Sequence, residues 1–283
     1  MYTKTYKKPI YVIWRILRNK YPMTVQLRNG KEYNIFGHTQ AYFLIRGKEP
    51  PEYLVKEDIL RLKYRNYLLL FSGALSNGAL FEIFNTESYG GLNIGGALVV
   101  DIGGNIGDSC IYFAVNGANK VICMEPQEIS FQAMLKNIRL NHLEEKIIPL
   151  MAAAGSTETI IKVKQDKNPT GENSLIQSEQ GEAVQLLALG SILRKFINNR
   201  SDSNKILKID CEGCEYDLIL HSTVEELAQF NQIIVEYHYG IKDLSKKIEK
   251  AGFKVEVIKG MIGFNTKSKK HFMKTGILIG RKT

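Results

Sequence analysis

Two rhythms of apolar and polar positions divide this chain. From residue 97 onward, apolar runs of strand length (99–102, 120–124, 147–151, 206–210 and 232–237) alternate with segments of helical spacing (108–116, 131–140, 186–198, 216–221 and 244–251). Such alternation predicts an α/β fold, a mostly parallel sheet with helices on both faces. Residues 253–258 and 276–280 predict a terminal antiparallel pair. Residues 157–185, alternating around a Pro-Thr-Gly turn at 169–171, predict an inserted hairpin, and Ala152-Ala153-Ala154-Gly155 reads as a small-residue loop.

The first 80 residues follow another pattern. Ile10, Ile13, Trp14, Leu17 and Tyr21 fall at helical spacing behind Pro9, with Arg15, Arg18 and Lys20 between them, which predicts a basic amphipathic helix. Residues 24–36 predict a hairpin, with Val25 and Leu27 on one strand, Tyr33 and Ile35 on the other, and Asn29-Gly30 in the turn. Residues 55–84 mix apolar and polar positions without a clear period. The chain therefore divides into an N-terminal segment, 1–80, and an α/β domain, 81–283.

Charge sharpens that division. The net charge is +9, and residues 1–80, with 14 Lys and Arg against 5 Asp and Glu, carry all of it. A basic segment suits a phosphate-bearing partner, whether RNA or an anionic membrane met through residues 9–21; a solvated basic face is the plainer alternative. No apolar run approaches the roughly 18 residues of a membrane span, and no cleavable leader is evident, so a cytoplasmic protein with or without peripheral membrane contact is expected. Nothing in the sequence points to an oligomeric state. Four cysteines in a chain this long do not suggest a disulfide framework. Cys211-Glu-Gly-Cys214 has the spacing of a zinc or redox pair, but no second such pair or His pair accompanies it, so no metal ligands are assigned.

Candidate chemistry gathers at the carboxyl ends of the strands, where ligands of such sheets bind. Residues 97–109 read Ala-Leu-Val-Val-Asp-Ile-Gly-Gly-Asn-Ile-Gly-Asp-Ser: a buried strand, a glycine turn and a helix start. Asp101 and Asp108 form an expected acidic lip that would repel a pyrophosphate but suits a cationic or hydroxyl-bearing ligand. D-x-G-x-x-x-G here resembles the first motif of class I S-adenosylmethionine (SAM)-dependent methyltransferases. Glu125 ends the next strand, where a carboxylate can accept both ribose hydroxyls. Ala153, among the alanines closing the third strand, would leave a flat slot for adenine. Asp210, Glu212 and Glu215 crowd the fourth strand end around Gly213 and must raise one another's pKa values without a relieving cation, proton or hydrogen-bond network.

Taken together, residues 100–107 (Val-Asp-Ile-Gly-Gly-Asn-Ile-Gly), 208–215 (Lys-Ile-Asp-Cys-Glu-Gly-Cys-Glu) and Glu236-Tyr237-His238 resemble the FkbM family of SAM-dependent methyltransferases, with Glu87-x-Tyr89 like its lead-in. The resemblance covers roughly residues 80–260. It implies a Rossmann-like sheet, SAM as cofactor, and O-methyl transfer to a hydroxyl of a small molecule, sugar or lipid-linked glycan. By position it implies that Asp101, Gly103, Asn105, Gly107 and Glu125 hold SAM, while Asp210, Glu212, Glu215 and His238 face the acceptor. His238 or Asp210 would be the general base, and a divalent cation on Asp210 and a neighbouring Glu is the other way to acidify the hydroxyl. An RNA methyltransferase reading rests on the basic segment, but the chain lacks the Asn-Pro-Pro-aromatic tetrad usual for base-amine methylation.

Overall fold

The computed structural model describes residues 6–76, 78–165, 180–197, 204–259, 263–264, 272–273 and 275–282. They fall into two compact units that divide between Gly90 and Gly91.

In the first unit, α1 (Pro9–Leu17) precedes β1 (Met23–Gln26) and β2 (Glu32–Ile35), which pair antiparallel through the expected Asn-Gly turn, with Gly30 at φ +90°. Next comes α2 (His38–Ile45), which the sequence did not suggest. Val12, Met23, Val25, Ile35, Ala41 and Leu44 bury together, and the buried Tyr6 hydroxyl donates to the Leu44 carbonyl at 2.6 Å. The stretch without a clear period is a three-stranded meander, β3 (Glu52–Leu54), β4 (Ile59–Tyr64) and β5 (Tyr67–Ser72), followed by α3 (Ala79–Phe84). Its turns place Asp58 and Arg65 at φ +54° and +50°, so no glycine marks them.

The second unit contains β6 (Leu98–Ile102), α4 (Asp108–Val115), β7 (Lys120–Met124), α5 (Glu128–Leu140), β8 (Ile147–Leu150), β9 (Ala152–Ala154), β10 (Thr159–Val163), β11 (Glu182–Leu187), α6 (Leu189–Phe196), β12 (Lys205–Ile209), α7 (Cys214–His221), α8 (Val224–Leu227), β13 (Gln232–Tyr237), α9 (Lys242–Lys250), β14 (Phe253–Lys259), the short pair β15 (Gly263–Phe264) and β16 (Phe272–Met273), and β17 (Gly276–Lys282). Seven strands form one sheet in the order β14-β17-β13-β12-β6-β7-β8. All neighbours run parallel except β17, which lies antiparallel between β13 and β14. This is a Rossmann-like α/β sheet, as the alternation predicted. β6 is buried along its whole length, as a central strand covered on both faces must be.

Two local expectations change, and a third is met as far as the described residues reach. The alanine stretch is a strand, β9, paired parallel with β11, and not a loop. Leu186 and Leu187 close β11, so the helix expected over 186–198 begins at Leu189. β10 and β11 pair antiparallel as the hairpin expected over 157–185, with the register reaching Leu186, and the Pro-Thr-Gly turn expected between them lies outside the described residues.

Candidate active site

The strand order puts β6 inside the sheet, with β7 on one side and β12 then β13 on the other. Parallel pairing of these four strands brings their carboxyl ends, and the loops after them, to one edge of the sheet. A glycine turn after β6 is compelled by crowding. Gly103 stands at φ +80°, and a Cβ there would lie 1.7 Å from the Asp210 carbonyl oxygen. The two loops after β6 and β12 are thus packed backbone to backbone. Gly104 has no room either, since a Cβ would meet Cys123 Sγ at 2.1 Å, and Gly107 is at φ +90°. Asn137 Nδ2 donates to the Ile106 carbonyl at 2.8 Å and pins the turn to α5.

The expected acidic lip is not formed by Asp101 or Asp108: both are buried. Asp101 receives Ser109 Oγ on Oδ2 at 2.6 Å, and Lys208 Nζ lies 2.9 Å from Oδ1. Lys208, itself buried, also donates to the carbonyls of Gly103 (2.7 Å) and Ile102 (3.2 Å). A Lys in the middle of an apolar strand must find a charge partner, and that was the available signal for its role. Asp101 and Lys208 therefore brace the glycine turn from beneath. Burial raises the Asp108 pKa to about 6, with Lys208 and the Ser109 amide opposing.

Glu125, just past β7, is also buried, but differently held. Its two oxygens accept one backbone N–H each, from Asn105 (2.9 Å) and Gln127 (2.9 Å). A carboxylate has about four lone-pair sites, so each oxygen retains acceptor capacity. Burial pushes its pKa up to about 7 against those two hydrogen bonds. Beside it, Gln127 Nε2 donates to the Lys164 carbonyl and the Glu128 amide to Gln165 Oε1, which ties the end of the β10 segment to this strand end. Ala153 does not open into a slot: it is buried against Val163, Val184 and Leu186.

After β12 and β13 the acidic cluster is organised around one imidazole. His238 Nδ1 lies 2.9 Å from Glu215 Oε1, and Nε2 lies 3.3 Å from Glu212 Oε2. Glu215 is fully buried, and its other oxygen accepts from the Gly213 amide at 2.8 Å. Burial pulls the His238 pKa down, but the hydrogen bonds and charges of Glu212 and Glu215 outweigh it and push the value up to about 11. His238 is accordingly an imidazolium held between two carboxylates. Asp210 is left 30% exposed, with Lys208 Nζ at 4.0 Å from its Oδ2. Burial and the nearby Glu212 and Glu215 raise its pKa, opposed by Lys208 and His238.

The turn between β12 and α7 is covalently closed. Cys211 and Cys214 form a disulfide, where the cysteine count suggested no disulfide framework and the spacing a zinc or redox pair. Spacing explains the difference: a bridge of sequence separation 3 needs only the local turn, which Glu212 (φ +55°) and Gly213 (φ +124°) provide, and no framework of distant crosslinks. Two groups of potential metal donors occur among the described residues, Asp210–Glu236–His238 and Asp101–Cys110–Cys123. In the first, both ring nitrogens of His238 already face carboxylates; in the second, Asp101 faces Lys208 and burial holds the Cys110 and Cys123 thiols protonated.

The predicted site residues thus fall into two groups and two single positions. Asp210, Glu212, Glu215 and His238 come together as one cluster; Gly103, Asn105, Gly107 and Glu125 form a loop with a facing carboxylate; Asp101 lies beneath both, and Ala153 lies in the hairpin core. Sequence reasoning left two contributors unassigned: Lys208, and Tyr216, whose hydroxyl accepts from the Tyr239 amide and donates to the Gly240 carbonyl, both at 2.7 Å, and so fixes the loop after β13.

Comparison with known proteins places these residues in a family. The sequence model of the methyltransferase FkbM domain matches residues 101–255, which span the β6 turn, Glu125, the acidic cluster and β13. No curated protein matches the chain. Among solved structures, a SAM-dependent O-methyltransferase of Thermotoga maritima is similar at 11% identity and a TM-score of 0.43, covering 92% of each chain. M. jannaschii TYW2 in complex with AdoMet is similar at 13% identity and a TM-score of 0.42, over 80% of this chain and 87% of that one. Magnesium protoporphyrin IX methyltransferase of Synechocystis PCC 6803, with bound SAM, is similar at 15% identity and a TM-score of 0.37, over 72% and 78%.

Proposed function

The chain belongs to the FkbM methyltransferase family, and from that premise we propose that it transfers the methyl group of SAM to a hydroxyl of a small-molecule, sugar or lipid-linked acceptor. The donor set fits this cofactor. Glu125 keeps acceptor capacity on both oxygens, as a pair of ribose hydroxyls requires, and it accepts the Asn105 amide of a turn in which Gly103 and Gly104 have no room for a Cβ. The neighbouring strand ends carry more carboxylates than cations, which suits a sulfonium and an ammonium. When bound, SAM supplies an already activated methyl group, so positioning is the main demand on the protein.

The acceptor hydroxyl is the poorer reactant, and the chain's own carboxylates answer for it. Asp210 and Glu212 are the partly open acids of the cluster, 30% and 27% exposed, and Asp210 is the one that is not paired with His238; that observation carries the assignment. Its carboxylate takes the hydroxyl proton as the oxygen attacks. A raised pKa makes it a stronger base than an ordinary Asp. His238 holds its proton on the Glu215–Glu212 pair throughout, and acts by fixing Glu212 and offsetting charge beside Asp210. Asp101 and Lys208 are positioning residues that set the spacing between the donor turn and Asp210.

The test is transfer of label from methyl-labelled SAM to a panel of hydroxylated glycans, lipids and RNA, by wild type and Asp210→Asn. Loss of a general base lowers kcat by roughly 10²–10⁴ with SAM affinity unchanged. Turnover by Asp210→Asn equal to wild type would remove Asp210 from the role, and labelling of RNA alone would overturn the hydroxyl-metabolite reading.

A further inference from the structure

Helix α1 has two apolar faces, and among the described residues only one of them is used. Val12 is buried in the first unit's core and Ile16 packs against that core. Ile10, Ile13, Trp14 and Leu17, at i, i+3, i+4 and i+7, form a second stripe rotated away from it, and these residues are 83%, 41%, 50% and 78% exposed. A contiguous exposed stripe of large apolar side chains marks an interaction surface. Its rim is basic. Lys7 and Lys8 precede the helix, Arg18 and Lys20 follow it, and these four have no carboxylate partner among the described residues. Arg15 stacks over Tyr11 at 5.7 Å and donates to the Pro22 carbonyl at 2.6 Å. The first acidic residue of the chain is Glu32, so eight Lys and Arg precede any opposing charge.

We propose that α1 is a membrane-surface anchor that lies in the interface of an anionic bilayer. Ile10, Ile13, Trp14 and Leu17 would enter the acyl boundary while Lys7, Lys8, Arg18 and Lys20 meet acidic headgroups. The alternatives fit less well. RNA would match the charge, but aliphatic side chains offer bases little to stack on, whereas lipid uses both halves of the pattern. An apolar protein groove would use the stripe and leave the rim of like charges unanswered. A Trp flanked by cationic side chains on an otherwise aliphatic face is suited to the headgroup level. The helix lies outside the residues matched by the family model, and the inference is independent of the methyl-transfer reading.

Trp14 is the chain's single tryptophan, so its emission reports on this helix alone. The experiment titrates the full-length protein with vesicles of phosphatidylglycerol and phosphatidylcholine in equal parts, and with phosphatidylcholine alone. Expected are a blue shift of Trp14 emission and flotation with the anionic vesicles only, both weakening as salt is raised. Ile10→Ser with Leu17→Ser removes two of the most exposed side chains without touching the core and is expected to weaken partitioning by about ten-fold or more. Ile10→Leu with Leu17→Ile is expected to keep it. Unchanged Trp14 emission on anionic vesicles overturns the proposal, as does equal binding of the serine variant. A blue shift that grows with protein concentration in the absence of lipid assigns the stripe to a second copy, and one induced by RNA and not by vesicles assigns it to nucleic acid; either result overturns it too.

Discussion

Replacing Lys208 by Met would strand a buried charge, and its cost follows from the surroundings of Asp101. Asp101 is fully buried, and its Oδ1 faces Lys208 Nζ at 2.9 Å with no other partner among the described residues. On Oδ2 it would keep only the Ser109 hydroxyl at 2.6 Å and the weak Cys123 thiol at 3.5 Å. The Ile102 and Gly103 carbonyls would lose the same donor. Breaking a buried pair by removing one partner costs about 3–5 kcal/mol. At about 2–4 °C per kcal/mol for a unit of this size, the melting temperature should fall by roughly 10 °C. Urea unfolding followed by circular dichroism measures the loss. The stringent comparison is Lys208→Met with Asp101→Asn, which removes both charges and should be more stable than Lys208→Met alone. A single-variant loss below about 1 kcal/mol, or a double variant with no recovery, would refute the buried brace.

Three further outcomes follow from the same site. Gly103→Ala forces a left-handed residue and a Cβ against the Asp210 carbonyl, so it should destabilise by more than about 3 kcal/mol in the same urea assay, whereas Gly47→Ala, at φ +74° with open space around it, should cost only the backbone term of about 1 kcal/mol. Glu125 has a folded pKa raised to about 7 from 4.5. It takes up a proton as pH falls through 7, and the protonated acid is the poorer acceptor for hydroxyls, so SAM affinity should fall by up to about ten-fold from pH 8 to pH 6, and Glu125→Gln should flatten the profile. The sign for stability is the opposite one: this buried acid favours the folded state at low pH, and that benefit is lost as pH rises from 4.5 through 7. In denaturant without reductant, thiol titration should count Cys110 and Cys123 only, and all four cysteines after reduction.

What was legible in the chain was the frame. Apolar runs fix strands where burial on both faces demands them, so β7 and β13 stand within the bounds expected from 120–124 and 232–237. Turn chemistry located the β1–β2 hairpin because Asn29-Gly30 supplies the left-handed residue cheaply. It failed over 55–84, where Asp58 and Arg65 adopt positive φ without glycine, and over 152–154, where three small residues form a strand only because β11 pairs with them. Within the site, residue type showed that acids would gather after β12. It could not show which would be spent internally. That Asp101 faces inward to Lys208, that His238 is clamped by two carboxylates, and that Asp210 stays open all depend on side-chain packing between elements distant in sequence: β6 against β12 for Asp101 and Lys208, and the turn after β12 against the end of β13, 23 residues on from Glu215, for His238.

The central claim is that the β6 turn and Glu125 form the SAM site of this FkbM-family chain. Calorimetric titration of SAM into the wild type and into Glu125→Ala tests it most directly. Saturable binding by the wild type, weakened by about ten-fold or more in Glu125→Ala, is the predicted result. No measurable binding to the wild type, or the same dissociation constant for both proteins, would contradict it.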